Sequence, residues 1–397
     1  MSSIVLGVSA GIAVYKSCEL LRLFTESGHD VRVVPTRDAL RFVGEPTWAA
    51  LSGNPVTTDV WESVHEVPHV RIGQSADLVV VAPATADILA RAANGLANDL
   101  LTNTLLTARC PVVFAPAMHT EMWEHPATRA NVATLRGRGA IVIEPAVGRL
   151  TGADTGPGRL PDPAEIFEVC RRVMSGRGLD LAGRHVVVSA GGTREAIDPV
   201  RFIGNRSSGL QGYALARTAV ARGAEVTLVS ANVGLPDPAG AKVVRVDSAR
   251  RLREAVLSAA GHADAVVMAA AVADFRPVRQ SDTKIKKSSG EPEPVHLTKN
   301  PDVLAELGEI RRAAGHPRVL VGFAAETDDV LANGRAKLER KGCDLLVVNQ
   351  VGENLAFGTP DNAAVVLSAD GESVEIPRGP KEDLADVVWD LVVARLS

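Results

Sequence analysis

A chain of 397 residues with 46% hydrophobic and 23% charged side chains has room for two or three domains, each burying its own core. Lys and Arg number 43 against 47 Asp and Glu, a formal charge of −4, which excludes a general attraction to nucleic acid or to an anionic membrane. Cys18, Cys110, Cys170 and Cys343 lack paired metal-ligand spacing and are too sparse for a disulfide framework, so reduced thiols are expected. The first residues read as a core strand without a basic region, apolar segment and cleavage site, and no apolar run approaches the ~20 residues of a bilayer span. The expectation is a soluble, cytoplasmic protein.

In the first half, apolar runs near 3–9, 31–35, 77–82, 111–115 and 140–143 alternate with helical patterns, which predicts a parallel, doubly wound α/β sheet. The first helix shows Val14, Cys18, Leu21 and Phe24 as one stripe, ended by Gly28. The opening IVLGVSAGIAVYKS runs from strand through small residues into that helix, a way to aim backbone N–H groups at a phosphate. GVSAGIAVYK does not have the G-x-G-x-x-G spacing of a dinucleotide fingerprint. HEVPH, with His65 and His69, formally matches H-E-x-x-H, but Pro68 interrupts the helical face that zinc would need. His69 then falls in a loop before a buried strand, by default a packing or surface histidine, with acid–base work as the alternative. Pro83, Ala84 and Thr85 in PATAD follow the third strand at the same carboxyl edge as the first turn, where open α/β sheets bind ligands. PAMHTEMW, 116–123, taken alone is a hydrophobic helix start packed on the sheet.

A helix near 162–175 is followed by MSGRGLDLAGR, small and polar, which places a domain boundary near 180 and gives domains 1–180 and 181–397. HVVVSAGGTRE, 185–195, then repeats the strand-and-glycine opening without a residue-level repeat. Strands are predicted near 185–190, 225–230, 242–246, 264–270, 318–324 and 344–348, with a hairpin around Asp370 and Gly371. In NRSSG, Ser207 and Ser208 can cap a helix and Gly209 permits close approach, while Arg201, Asn205 and Arg206 favour an anion at that helix start. AAAVADFRP ends a buried strand with Asp274. KIKKSSGEPEP reads either as a solvated surface or as a segment that closes over a nucleotide. TKNPDV puts Asn300 and Pro301 at a helix start, and Lys337 and Lys341 are i, i+4 neighbours, so several lysines converge on strand ends as triphosphate neutralisation would require.

PATAD together with PAMHTEMW resembles the paired motifs of the flavin-dependent cysteine decarboxylases, and the likeness runs through GVSAGIAVYK, His69 and GADTGPGRL. The resemblance implies a flavodoxin-like domain holding FMN with Gly7, Ser9, Ala10, Gly11, Thr36, Pro83, Ala84, Thr85 and Met118. It places His69 at the catalytic histidine and GADTGPGRL at a substrate-covering loop. Two positions depart from the family: His119 stands where Asn is usual, and the loop reads TGAD, with Gly152 or Ala153 where bifunctional members often carry a proton-donating Cys. His119 can still donate an N–H to a substrate carboxylate. The flavin answers a chemical difficulty, because a carboxylate on a cysteine amide has no electron sink until the thiol carbon is oxidised to a thioaldehyde.

The second half resembles bacterial phosphopantothenate:cysteine ligase, which uses CTP and Mg2+. The resemblance implies that Met268, Ala269, Ala270, Asp274, Lys284, Pro301, Asp302, Val303, Leu304, Phe323, Lys337 and Lys341 contact CTP. It implies that Lys284 supports acyl-cytidylate formation, and that Arg201 and Asn205 handle the activated acid; it leaves the metal ligands unassigned. Activation is needed because oxide is too poor a leaving group for cysteine's amine to displace, whereas CMP is a good one. Together the halves resemble the bifunctional enzymes that turn 4'-phosphopantothenate, L-cysteine and CTP into 4'-phosphopantetheine on the route to coenzyme A, with trimeric and dimeric contacts building a dodecamer. The competing readings are a flavoprotein scaffold with only the ligase active, and an oxidoreductase, which lacks its dinucleotide fingerprint.

Overall fold

The structure, a computed structural model, describes residues 1–56, 68–150, 155–176, 178–286, 294–326, 330–350 and 361–397. It divides into two compact units, Met1–Gly178 and Leu179–Ser397. Among the described residues, no helix is long and apolar enough to cross a membrane.

The first unit runs β1 (Ser3–Val8), α1 (Val14–Glu26), β2 (Asp30–Pro35), α2 (Glu45–Ser52), α3 (Pro68–Ser75), β3 (Leu78–Ala84), α4 (Ala86–Asn94), α5 (Leu100–Thr107), β4 (Val112–Pro116), α6 (Thr120–Glu124), α7 (Pro126–Gly137), β5 (Ile141–Val142), β6 (Ala146–Arg149), β7 (Thr155–Arg159) and α8 (Pro163–Met174). The five main strands are parallel in the order β2-β1-β3-β4-β5, the flavodoxin-like arrangement. Helices cover both faces, so the central strands are apolar throughout: all seven residues of β3 are buried. The α1 stripe is Val14, Ser17, Leu20, Leu21 and Phe24, which keeps Val14, Leu21 and Phe24 as expected and puts Ser17 where Cys18 was expected. Cys18 is only half-buried. Ser17 is accepted inside because its hydroxyl donates to the Ala82 carbonyl at 2.7 Å. Gly28, at φ 81°, follows the helix as expected.

The second unit runs β8 (His185–Gly191), β9 (Arg194–Ala196), β10 (Phe202–Gly204), α9 (Leu210–Ala221), β11 (Glu225–Ala231), β12 (Ala241–Val246), α10 (Ala249–Ala260), β13 (Ala265–Met268), β14 (Phe275–Pro277), β15 (Leu297–Lys299), α11 (Val303–Ala314), β16 (Val319–Glu326), α12 (Val330–Lys341), β17 (Leu345–Gln350), β18 (Asp361–Ser368), β19 (Ser373–Pro380) and α13 (Lys381–Leu396). Its sheet has the order β12-β11-β8-β13-β16-β17-β18-β19. The first six strands are parallel in the Rossmann order. The last two are the antiparallel hairpin expected around Asp370 and Gly371. Alternation divides the core: Val186 and Val188 pack with α9 and α13, whereas Val187 packs with α10, α11 and α12.

Two expectations change here. The strand read as 264–270 stops at Met268, because the chain then turns to let Ser189 Oγ accept from Ala270 N (3.1 Å) and Ala271 bridge to Gly192. The glycine turn after β8 leads into the β9–β10 hairpin rather than directly into a helix. A Cβ on Gly191 would meet the Ala231 carbonyl at 2.0 Å and one on Gly192 the Asn205 carbonyl at 2.6 Å, so these glycines serve close backbone packing.

Arg222, completely buried at the end of α9, holds the second unit's first segment to its last helix. Its guanidinium donates to both Asp180 oxygens (2.9 and 2.6 Å) and to the Asp386 carbonyl (3.0 Å), and pairs with Asp390 at 2.8 Å. Leu181 N adds a bond to the Arg222 carbonyl at 3.0 Å. Removing one partner of such a cluster strands the others, at about 3–5 kcal/mol. Arg222→Ala should lower the unfolding free energy of the second unit by about that amount, seen as a lower denaturant midpoint, and leave the first unit's transition in place, as measured by guanidinium unfolding followed with probes in each unit.

Candidate active sites

In the first unit, strand order reverses between β1 and β3, and the turns leaving both strands are stitched together there. Ser9, 2% exposed, donates its hydroxyl to the Pro83 carbonyl (2.7 Å) and accepts from Thr85 N (3.0 Å). Its side chain is therefore spent on positioning. Ala10 and Gly11 follow at the start of α1, which has no side-chain cap, and nothing lies within 4 Å of a Cβ built on Gly11. Gly7 lies within β1, where Leu101 fills the space above it. Thr36 N donates to the Val8 carbonyl (2.8 Å), which brings the end of β2 to the same edge. Thr85 caps α4. Ala117 N donates to the Ala84 carbonyl and Met118 N to the Gly158 carbonyl.

His119 is exposed and precedes α6 without capping it. The β6–β7 hairpin leans on this corner: at Gly158, φ 145°, a Cβ would sit 2.3 Å from the Met118 carbonyl. Gly152 and Ala153 lie outside the described residues, as does His65. His69 lies in the first turn of α3, not in a loop, because Pro68 opens the helix. Its carbonyl accepts from Thr107 Oγ1 (2.8 Å), and its Nδ1 is buried without a protein partner. Those contacts lead to α5, away from Ser9, Thr85 and His119.

In the second unit, order reverses between β8 and β13, and a pocket opens between the α9 N-terminus and the ends of β13, β16 and β17. Ala269, Ala270 and Phe323 line it. Met268 is turned into the core instead. Gly209, at φ 79°, heads α9 with no side-chain cap. The expected capping by Ser207 and Ser208 is thus absent: Ser207 Oγ accepts from Gly209 N within the turn, leaving the first helical N–H groups to the pocket.

Residues without a sequence signal complete the pocket. Lys381, 4% exposed, donates to the Asp361 carbonyl (3.1 Å), and burial pushes its pKa below the usual lysine value. Asn362 donates to Gln211 Oε1 (3.1 Å), Gln211 donates to the Lys381 carbonyl (3.1 Å), and Asn349 Oδ1 is buried without a partner. These are single polar residues in unremarkable stretches, and only the fold gathers them.

The remaining candidates form two groups outside that lining. Arg201 donates to the Ile285 carbonyl (2.8 Å), next to exposed Lys284, and Asn205 donates to the Val272 carbonyl (3.0 Å). Residues 287–293 of KIKKSSGEPEP lie outside the described residues. In the second group, Asp302 rather than Asn300 caps α11, and Asn300 donates to the Ala273 carbonyl (2.8 Å) and, through its N–H, to that of Asp274. Pro301 precedes the cap, while Val303 and Leu304 pack into the core. Lys341 pairs with Asp302, so it does not join a converging lysine set here; Lys337 lies one turn before it.

Both units thus define a doubly wound α/β protein, a class whose ligands bind where strand order reverses. Residues 1–175 match the family described as Flavoprotein, and 181–396 the one described as DNA/pantothenate metabolism flavoprotein C-terminal domain. The coenzyme A biosynthesis bifunctional protein CoaBC of Mycolicibacterium smegmatis is 60% identical over 406 residues, covering 99% of this chain and 98% of that protein. Its counterpart in Bacillus subtilis is 43% identical, covering 99% and 97%. A crystal structure of the C-terminal domain of a CoaBC protein is 35% identical, covers 55% of this chain and 98% of its own, and superposes with a TM-score of 0.47. The chain belongs to the CoaBC family of coenzyme A biosynthesis bifunctional proteins.

Burial alone would raise the Asp302 carboxyl, but Lys341 draws it below the usual carboxylate range. Such a depressed group adds stability that is present above its unfolded value of about 3.9 and lost as pH falls through the lower folded value. Lys341→Met should therefore flatten the acid limb of the second unit's stability curve below about pH 4, which urea midpoints across that range would show.

Proposed function

We propose that residues 1–180 form an FMN-dependent phosphopantothenoylcysteine decarboxylase and residues 181–397 a CTP-dependent phosphopantothenate:cysteine ligase. One observation carries the reading: each unit ends its switch-point strands against a helix N-terminus with no side-chain cap, so the chain offers two independent anion-binding crevices. Two activities need two.

In the first crevice, open space over Gly11 and the free start of α1 fit a flavin phosphate, with Thr36, Pro83, Ala84, Thr85 and Met118 around it. When bound, FMN supplies the reversible oxidation of the thiol-bearing carbon that makes loss of CO2 possible. The protein orients the substrate and handles protons. His69, with Nδ1 unpartnered, takes and returns a proton near the thiol, and His119, exposed at the corner, donates an N–H to the carboxylate.

In the second crevice, the α9 N–H groups and Lys381 face the phosphates of CTP beside Ala269, Ala270 and Phe323. Lys284 neutralises charge as phosphopantothenate attacks the α-phosphate, and Arg201 and Asn205 hold the activated acid for cysteine's amine. Mg2+ accompanies the triphosphate, since this hard cation is bound typically through substrate phosphates, water and one or two carboxylates. Half-exposed Val200, Phe202, Phe275, Val278 and Leu297 on the small hairpins support a self-association surface, in line with dimeric ligase contacts within a dodecamer.

The purified chain given 4'-phosphopantothenate, cysteine, CTP and Mg2+ should yield 4'-phosphopantetheine, CO2, CMP and pyrophosphate, followed by mass spectrometry. Accumulation of phosphopantothenoylcysteine would instead show an active ligase beside a flavoprotein scaffold. His119→Asn should retain decarboxylation, and complete loss of CO2 release in that variant would assign His119 a role that Asn cannot fill.

A further inference from the structure

Asp198, in the loop between β9 and β10, is only 2% exposed, a place that a carboxylate occupies when its charge is matched. Oδ1 accepts from the backbone N–H groups of Val200 and Arg201, both at 2.8 Å. Oδ2 accepts from Ile285 N at 3.2 Å and faces Arg201 Nε at 3.7 Å. Arg201 completes the clamp by donating to the Ile285 carbonyl at 2.8 Å, and Ser281 N donates to the Ile197 carbonyl at 2.9 Å. Ile285 is therefore held by both its N–H and its C=O although the residue is 45% exposed. The peptide held through that N–H is the one that joins it to Lys284.

We propose that Asp198 is a positioning residue of the ligase half, which pins the 284–285 peptide through Oδ2 and so aims Lys284, while Oδ1 shapes the turn that presents Arg201. The inference rests on the role assigned to Lys284 above. A lysine swings on a flexible four-carbon stem, so its useful concentration at a phosphate depends on where its backbone is fixed. Burial alone would raise the Asp198 carboxyl, but the three N–H donors and Arg201 hold it below the usual range, so it acts as a pure acceptor at neutral pH. Asn at this position separates the two functions. Its oxygen keeps the two 2.8 Å bonds of the turn, which leaves its NH2 pointing at the Ile285 N–H, donor against donor.

The test uses the full chain carrying Asp198→Asn, Lys284→Ala or both, with pyrophosphate release from CTP and decarboxylation of supplied phosphopantothenoylcysteine measured separately. Asp198→Asn is expected to lower kcat for pyrophosphate release by about 30–100-fold, the scale of an ångström-level misplacement, with little change in KM for CTP and none in decarboxylation. The double variant is expected to be no slower than Lys284→Ala alone, since an unaimed lysine and an absent one lose the same interaction. Additive losses in the double variant, or an unchanged kcat in Asp198→Asn, would overturn the positioning role. Full ligation by Lys284→Ala would overturn the assignment of Lys284 itself, a separate failure. If Asp198→Asn melts before the assay temperature, Ile285→Pro deletes the pinned N–H while Asp198 and Arg201 stay, and carries the same expectations.

Discussion

Where neighbouring parallel strands send their connecting helices to opposite faces of a sheet, nothing covers the carboxyl ends between them, and the backbone N–H groups delivered there lack partners within the fold. This constraint appears twice along the chain. In the first unit it falls between β1 and β3, in the second between β8 and β13. Each crevice is then finished by local chemistry. Ser9 ties two turns together with one hydroxyl, whereas Gly209 lets α9 begin without a capping side chain. The second crevice also draws Asn349, Asn362 and Lys381 from β17, β18 and the start of α13, strands away from the switch point.

Glycine plays different parts in the two openings, although the strings look alike. Gly11 stands in open space at a helix start, as a phosphate-facing turn requires. Gly191 and Gly192 are enclosed by the carbonyls of Ala231 and Asn205, and there the absence of Cβ lets the β8 exit cross neighbouring backbone. The anion-facing backbone of the second unit lies later in the chain, at Gly209 and Leu210, past a hairpin that local pattern did not disclose.

Elements set by burial on both faces were legible from composition: β1, β3, β8 and β11 are near-continuous apolar runs, and the final hairpin follows from Asp370 and Gly371. Features set by a single hydrogen bond across many residues were not. Ser17 displaces Cys18 from the buried stripe because a carbonyl 65 residues away accepts its hydroxyl. Asp302 takes the cap expected near Asn300, and it also takes Lys341, which the i, i+4 spacing had assigned to a nucleotide. Asn349, Asn362 and Lys381 have no local pattern at all, since their shared pocket exists only once β17, β18 and α13 have assembled. His69 was placed in a loop because Pro68 was read as a breaker, yet proline is well suited to a first helical turn.

The Arg222 cluster shows how the second unit defines its own edge. A guanidinium with no exposure would be costly alone, and its compensation comes from both ends of the unit: Asp180 from the entering segment, Asp386 and Asp390 from α13. Leu181, fully buried beside it, adds apolar area that the entering segment could not hide by itself. MSGRGLDLAGR, 174–184, is small and polar enough to read as linker, but these contacts make Asp180 and Leu181 part of a folding unit. A buried charge satisfied from two remote segments also penalises any state in which only one of them has docked, so that entry and exit of the unit are expected to form together.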